Sequence, residues 1–208
     1  MDESSQVEVS FSVISMFEWY TKADYCLAYL HDVRVDDVGR SVESSDSSDE
    51  SDLFDDFRDS RGCKSGKFAD SVWFRRGWTL QELLAPKTVV FINHRFKVLG
   101  HKCTTSCFQQ HGSQVRSTKL PRTIINETLS NITGILLRNI RGIPASGHDF
   151  SIEQVMEWME DRKTTEAEDM IYSISGLFNI HMSPQYGEGY DDGLRRLKRE
   201  LRCRQMRL

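Results

Sequence analysis

The spacing of apolar side chains predicts a chain built mostly of helices. Apolar positions recur every three or four residues, which is the period of a helix with one buried face. The predicted helices are residues 10–23, Ser151–Glu160, a segment that opens near Thr165, a basic segment from about Asp191, and Ile124–Arg138 with a break at Gly134.

Two short β-prone runs interrupt these helices. Tyr25–Leu30 follows the first helix, and Thr88–Ile92 is the clearest strand of the chain, rich in β-branched and aromatic residues. Phe96–Leu99 is a candidate return strand after a turn at Asn93. Strands that alternate with helices indicate an α/β fold.

The chain is organised around Ser71–Pro86, SVWFRRGWTLQELLAP. Its tryptophans, phenylalanine and leucines are too apolar for a surface loop, so we expect an Arg-Arg-Gly turn that leads into a short, largely buried helix. Pro86 ends that helix. Glu82 lies in its first turn, where the helix dipole favours an anion.

Three segments have the Ser/Thr-x-x-Glu/Gln spacing of a capping box, in which the first side chain and the third satisfy each other's backbone N–H groups. Each predicts a helix start. The pairs are Thr79 with Glu82, Ser151 with Gln154, and Thr165 with Glu168.

Length and charge place the chain among soluble proteins. Its 208 residues can bury a core, and the net charge of −4 combines an acidic block at 36–59 with a basic tail after residue 195. No apolar run is long enough for a membrane span, and the acidic N-terminus is not a secretory signal. Five scattered cysteines favour reduced thiols, so we predict a cytoplasmic protein without membrane partners.

The segment Asp36–Ser60 is rich in serine and aspartate and poor in apolar residues. It cannot bury enough surface to offset the entropy of ordering, which predicts a disordered loop. Two interpretations stay open: a solvated insert, or a regulated phospho-acceptor tract, since acidic residues flank its serines.

The central stretch resembles the signature of the fungal heterokaryon-incompatibility (HET) domain family. In that family a Trp-Phe, an Arg-Gly-Trp-Thr and a Leu-Gln-Glu-Leu follow one another, as they do between Trp73 and Leu83. Ser15–Val33 is similar to the family's preceding helix and strand, and Arg162–Gly189 to its downstream block. The resemblance implies a role in fungal non-self recognition and programmed cell death.

The resemblance also implies an architecture. HET domains are similar to TIR domains, which have a flavodoxin-like arrangement of three layers with a short sheet. HET domains ordinarily begin with a strand near a Ser-His-Thr-Trp-like motif, and the first ten residues here do not match it. We therefore expect a partial domain, incomplete on its N-terminal side. Its expected parts are a tail (1–9), a helix and strand (10–35), an acidic insert (36–62), the core signature (63–100), a variable region (101–150) and a helical C-terminal part (151–208).

Glu82 is the candidate catalytic residue by this resemblance. Trp78 and Glu82 have the spacing of the Trp-Cys-x-x-Glu segment of enzymatic TIR domains, in which the Glu assists cleavage of NAD. A fixed carboxylate can stabilise the positive charge that develops on the ribose, and no further cofactor is required. Arg75 and Arg76 could bind the phosphates of NAD, and Trp78 could stack on a ring. The alternative is that Glu82 is only a helix cap.

A second polar cluster matches the family's Arg-x-Thr-Thr-x-x-Glu-Asp pattern. A capping box at Thr165 and an ion pair between Arg162 and Asp169 would explain it structurally. Glu166 stands where many family members have a basic residue, which weakens an anion-binding role.

Two other kinds of site find little support. His101, Cys103, Cys107 and His111 have helical spacing but lack the paired Cys-x2-Cys of zinc ribbons, so we predict no metal site. The basic tail lacks interleaved aromatic residues, which argues against nucleic acid.

Two functions therefore stay open. One is NAD cleavage by the complete HET domain, and the other is a non-catalytic HET-derived interaction module. For the second, the expected partners are other HET-domain proteins, signalling proteins or a second copy of the chain.

Overall fold

The structure is a computed structural model that describes residues 3–33, 68–104, 124–142 and 150–206. The acidic insert at 36–62 lies outside these residues, as do Cys107 and His111. Within them, the chain forms a small sheet packed against several helices. The elements are α1 (Glu3–Lys22), β1 (Cys26–Leu30), a 3-10 helix (Val72–Arg75), α2 (Thr79–Leu84), β2 (Thr88–Asn93), β3 (Val98–Cys103), α3 (Asn126–Thr133), α4 (Leu137–Ile140), α5 (Ile152–Met159), α6 (Asp169–Ser175), a second 3-10 helix (Gly176–Phe178) and α7 (Gly189–Gln205).

The sheet is mixed and has the order β1-β2-β3. β1 runs parallel to β2, with Cys26 opposite Val89, whereas β3 returns antiparallel, with Cys103 opposite Thr88. All six residues of β2 are buried, as expected of a central strand that is covered on both faces. The α/β class predicted from the sequence is therefore confirmed, with a sheet of three strands.

β1 forms one edge of this sheet, and its two faces differ. Ala28 and Leu30 are buried in the main core, whereas Leu27 and Tyr29 point to the other face and are exposed. The ring of Tyr29 stacks on exposed Phe96 with 5.6 Å between centroids. The alternation is that of a strand covered on one face.

The core joins the sheet to the signature segment. Four aromatic rings, those of Phe68, Trp73, Phe74 and Phe91, lie with centroids 5.1 to 6.3 Å apart, mostly edge to face. The leucines of α2 continue this core to α6, whose residues Ile171 and Ile174 are fully buried. The expected turn and buried helix of the signature are therefore present.

Helix α1 packs against the start of the second 3-10 helix. A Cβ atom on Gly176 would lie 2.4 Å from the Cβ of Phe17, so only glycine lets the two segments approach so closely. Beside this contact, Ile14, Phe17 and Thr21 of α1 line a cleft of about 310 Å³ that reaches Ile180. The seating of α1 thus depends on the absence of a side chain at residue 176.

The helix ends test the three predicted capping boxes. The box at Ser151 is confirmed, with reciprocal bonds between Ser151 and Gln154. The box at Thr79 is wrong: Trp78 precedes α2 without a side-chain cap, and the Thr79 hydroxyl bonds elsewhere. The box at Thr165 is also wrong, because α6 begins only at Asp169. There Glu168 is buried and accepts the backbone N–H of Gly187.

The structure also bears on the predicted state of the cysteines and on the predicted helix break. Cys103 is disulfide-bonded, which differs from the predicted set of reduced thiols, while Cys26 and Cys203 are free. Gly134 ends α3 with a left-handed φ of 68°, which explains the predicted break in this helix. Within the described ranges, no helix combines the length and the apolar character needed to cross a membrane.

A buried lysine closes the C-terminal end of α2. Lys102 of β3 is 0% exposed, and its Nζ donates to the carbonyls of Leu83, Leu84 and Pro86 at 2.7 to 3.2 Å. These carbonyls have no partner within the helix, so the ammonium takes the place of a cap. Burial nevertheless lowers the pKa of Lys102 to about 7.

This pKa predicts how stability depends on pH. Between pH 7 and the ordinary lysine value of 10.5, the unfolded chain binds a proton at Lys102 that the folded chain has released. The free energy of unfolding should therefore rise with pH in this window. Urea denaturation of the parent and of Lys102→Met measures the difference. A parent profile no steeper than that of the variant would mean that the three carbonyls hold the proton.

Candidate functional site

The signature segment is anchored at its start by Asp32, just after β1. The carboxylate accepts the Ser71 hydroxyl and the backbone N–H of Val72, both at 2.7 Å. The Ser71 oxygen in turn accepts the N–H of Trp73 and caps the 3-10 helix. The end of β1 thereby fixes where the aromatic pair Trp73–Phe74 enters the core.

The Arg-Arg-Gly turn is held by a short backbone pairing with residue 163. The N–H of Lys163 donates to the carbonyl of Arg75 at 2.7 Å, and Gly77 donates to the carbonyl of Lys163 at 2.9 Å. A Cβ on Gly77 would lie 2.5 Å from Cγ2 of Thr164. The glycine of the signature is therefore required by close packing against the downstream block.

Arg162 lies at the centre of this contact. This residue is only 5% exposed. Its Nη1 donates to the carbonyl of Arg76 at 3.0 Å and to the hydroxyl of Thr79 at 2.8 Å. Its Nε donates to the carbonyl of Trp158 at 3.1 Å, at the end of α5. Burial lowers the pKa of Arg162 to about 10, and the charge of Glu82 opposes that shift. We call this set of bonds the Arg162 junction.

The Arg162 junction replaces two expectations from the sequence. Thr79 is not a cap: its hydroxyl lies 2.6 Å from the carbonyl of Trp73 and 2.7 Å from that of Arg76, while it accepts from Arg162. The predicted Arg162–Asp169 ion pair is wrong, because the guanidinium points to the signature segment instead. Asp169 has other partners.

Glu82, the candidate catalytic residue, is half-buried beneath helix α1. The hydroxyl of Tyr20 and the indole of Trp73 act on its carboxylate as neighbouring polar donors, as do the charges of Arg76 and Arg162. Burial is the largest effect and raises the pKa of Glu82 above its ordinary value, while those donors and charges oppose the rise. Burial and the neighbouring carboxylate also raise the pKa of Tyr20.

The three predicted ligand-binding residues, Arg75, Arg76 and Trp78, do not form one cluster. Arg75 and Arg76 are exposed, and the charge of Arg76 is felt at Glu82. Trp78 is half-buried and donates its indole N–H to Asp169 at 3.1 Å. The other oxygen of Asp169 lies 3.3 Å from the hydroxyl of Tyr186, and burial raises the pKa of this carboxyl. The structure thus brings Arg76 to Glu82 but fixes Trp78 beside Asp169.

The sequence pattern does not identify three residues of these clusters as polar partners. Tyr20 belongs to the apolar stripe of the first helix and Trp73 to the apolar signature, and nothing in the pattern singles out Tyr186. The polar tips of Tyr and Trp require partners when buried, which was the available signal. Among the residues that the structure places, no three His, Cys, Asp or Glu side chains cluster as a metal site.

Sequence similarity identifies the chain as a HET-type segment of the heterokaryon-incompatibility family. The relative that carries this assignment is the vegetative incompatibility protein HET-E-1 of Podospora anserina. The chain is 34% identical to it over 201 residues, which is 97% of this chain. It spans only 12% of the length of HET-E-1.

Two further comparisons give no match. No protein-family profile matches the chain, and no solved structure matches it.

The close packing of Gly77 predicts a specific sensitivity. Gly77→Ala places a methyl group 2.5 Å from Thr164 and should lower the free energy of unfolding by about 1–3 kcal/mol, as overpacking does. The measurement is urea denaturation. Gly193→Ala is the matched control, because there the added Cβ would meet Ile171 at an ordinary 3.5 Å within helix α7. Alanine favours helix, so this control should be neutral or stabilising. Equal losses in both variants would contradict the packing argument.

Proposed function

We propose that this chain is a HET-type module of fungal vegetative incompatibility, which acts in non-self recognition that leads to programmed cell death. Two observations support the proposal: the similarity to HET-E-1 and the family signature between Trp73 and Leu83. The chain corresponds to a small part of HET-E-1, so the activity of the whole relative is not transferred to it. We propose a cytoplasmic location.

Within that role, we propose that the chain works as an interaction module. The observation that carries this is the surroundings of Glu82, a half-buried carboxylate that already has the hydroxyl of Tyr20 and the indole of Trp73 as polar neighbours. Glu82 lines neither the cleft beside α1 nor the cleft beside α5. Its proposed partners are other HET-domain proteins, signalling proteins or a second copy.

NAD cleavage is the second candidate, and one observation favours it. Glu82 lies in the first turn of α2, and the charge of exposed Arg76 acts on it. An arginine beside a helix start can bind the phosphates of a dinucleotide while the carboxylate faces its ribose. On this proposal the fold is TIR-like, Glu82 stabilises the developing charge on the ribose, and Arg75, Arg76 and Trp78 bind the dinucleotide. Tyr20 must then move aside, because it covers the carboxylate. NAD is the substrate and no cofactor is required.

Incubation of the purified chain with NAD separates the two candidates. We expect no release of nicotinamide by the parent, by Glu82→Gln or by Glu127→Gln, a control at an exposed position of helix α3. Release by the parent and by Glu127→Gln, but not by Glu82→Gln, would contradict the interaction proposal and establish Glu82 as catalytic.

The same variant tests the structural role of Glu82. Glu82→Gln keeps the size of the side chain and an acceptor oxygen and removes only the charge, so the free energy of unfolding should fall by only about 1 kcal/mol. Any toxicity of the expressed chain should persist in this variant. Toxicity that disappears from a variant with parental stability would point to chemistry at the carboxylate.

A further inference from the structure

The outer surface of the C-terminal helices carries a cleft of about 600 Å³. Its floor is apolar and includes Met156, Met170 and Leu194, which come from α5, α6 and α7. This volume is in the range of binding sites in proteins, and methionine side chains adapt readily to different partners. The cleft has no part in the Glu82 cluster or the Arg162 junction.

One wall of this cleft carries three carboxylates, and Lys198 of α7 also lines the cleft. Glu153 and Glu157 lie on α5 and Glu160 directly follows it, and all three are exposed and line the cleft. Their spacing of i, i+4 and i+7 places them in one stripe along a helix, over about 10 Å. We call these three residues the acidic stripe.

The neighbouring helix carries a basic stripe with the same spacing. Arg195, Arg199 and Arg202 lie on α7 at i, i+4 and i+7, and all three are exposed. Met206 continues the same face at i+11 and is 80% exposed. We call the three arginines the basic stripe.

Within one copy, the partners of the basic stripe are exposed contacts of its own helix. Arg195 pairs with Asp192, and Arg202 donates to the carbonyl of Lys198 at 3.2 Å. Exposed contacts of this kind contribute little to stability and exchange easily. In contrast, Arg196 bonds to Glu188, and Arg204 bonds to the carbonyls of Phe178 and Asn179. These two arginines therefore stabilise the fold and are not part of the basic stripe.

We infer that the acidic stripe and the basic stripe are the two halves of one self-complementary surface, through which two copies of this chain pair. In a two-fold arrangement, α7 of each copy lies along the cleft and acidic stripe of the other, so each contact occurs twice. The matched spacing of three carboxylates and three guanidiniums is the observation that selects a second copy as the occupant. The apolar floor of the cleft supplies the surface that is removed from water.

This inference deepens the proposed interaction function by naming a surface and a partner. Its failure is distinguishable from failure of that function. A chain that stays monomeric but releases no nicotinamide would still fit a module that binds other proteins. A chain that pairs and also cleaves NAD would support the pairing surface and contradict the proposal of a non-catalytic interaction module.

The test is a charge swap on the full chain, with association measured by sedimentation velocity over a wide range of concentration. One variant carries Glu153→Lys, Glu157→Lys and Glu160→Lys, and the other carries Arg195→Glu, Arg199→Glu and Arg202→Glu. Each variant alone brings like charges together and should weaken pairing at least about 100-fold relative to the parent. An equimolar mixture of the two should pair again, because both contacts then join opposite charges.

Salt dependence provides a second measurement. Pairing of the parent should weaken as ionic strength rises, because exposed charges are screened. Circular dichroism of each variant establishes that it is folded. A parent that is monomeric up to millimolar concentration would overturn the inference. So would a parent that pairs with no loss in either variant, or folded variants whose mixture fails to pair.

Discussion

The buried guanidinium of Arg162 links the signature segment to the downstream block. Arg162 donates to the signature segment at Arg76 and Thr79 and to the end of α5 at Trp158. A charge that is taken out of water requires partners for its N–H groups, so it strongly favours the one arrangement that supplies them. The backbone pairing of Gly77 with Lys163 and the close packing on Thr164 follow from that arrangement. The signature and the downstream block of the HET family are therefore two sides of one contact.

Buried charged residues in this fold have structural roles of their own. Arg162, Lys102 and Glu168 are buried, and each bonds to backbone groups of another segment. Substitution of one partner leaves the other uncompensated, which is costly whether or not the site binds a ligand. Glu82 differs in degree, since it is half-buried and its donors are side chains that could rotate. The distinction makes Glu82 the residue on which the catalytic and structural interpretations diverge.

The sequence predicted most elements of this fold but few of its polar contacts. Periodicity was sufficient for α1, β1, β2, α5 and α7, because burial of one face is a local property of the chain. The return strand after the turn at Asn93 runs antiparallel to β2, as the turn predicts, but it extends over Val98–Cys103 rather than Phe96–Leu99. The caps at Thr79 and Thr165 failed for a different reason. A hydroxyl bonds to whatever the tertiary structure brings near, and for Thr79 that group lies on Arg162, 83 residues away. The partners of Glu82 were missed in the same way, because Tyr20 and Trp73 reach it from other segments.

The contact between Gly176 and Phe17 has a consequence for how this domain can evolve. Helix α1 reaches Glu82 through Tyr20 and rests on Gly176 through Phe17, one turn earlier. Any side chain at residue 176 would act as a wedge that lifts α1 from the domain and uncovers the carboxylate. Because codons for several small residues lie one nucleotide from those for glycine, that wedge is a short mutational step. A lineage could thus expose or conceal Glu82 without changing a residue of the signature itself.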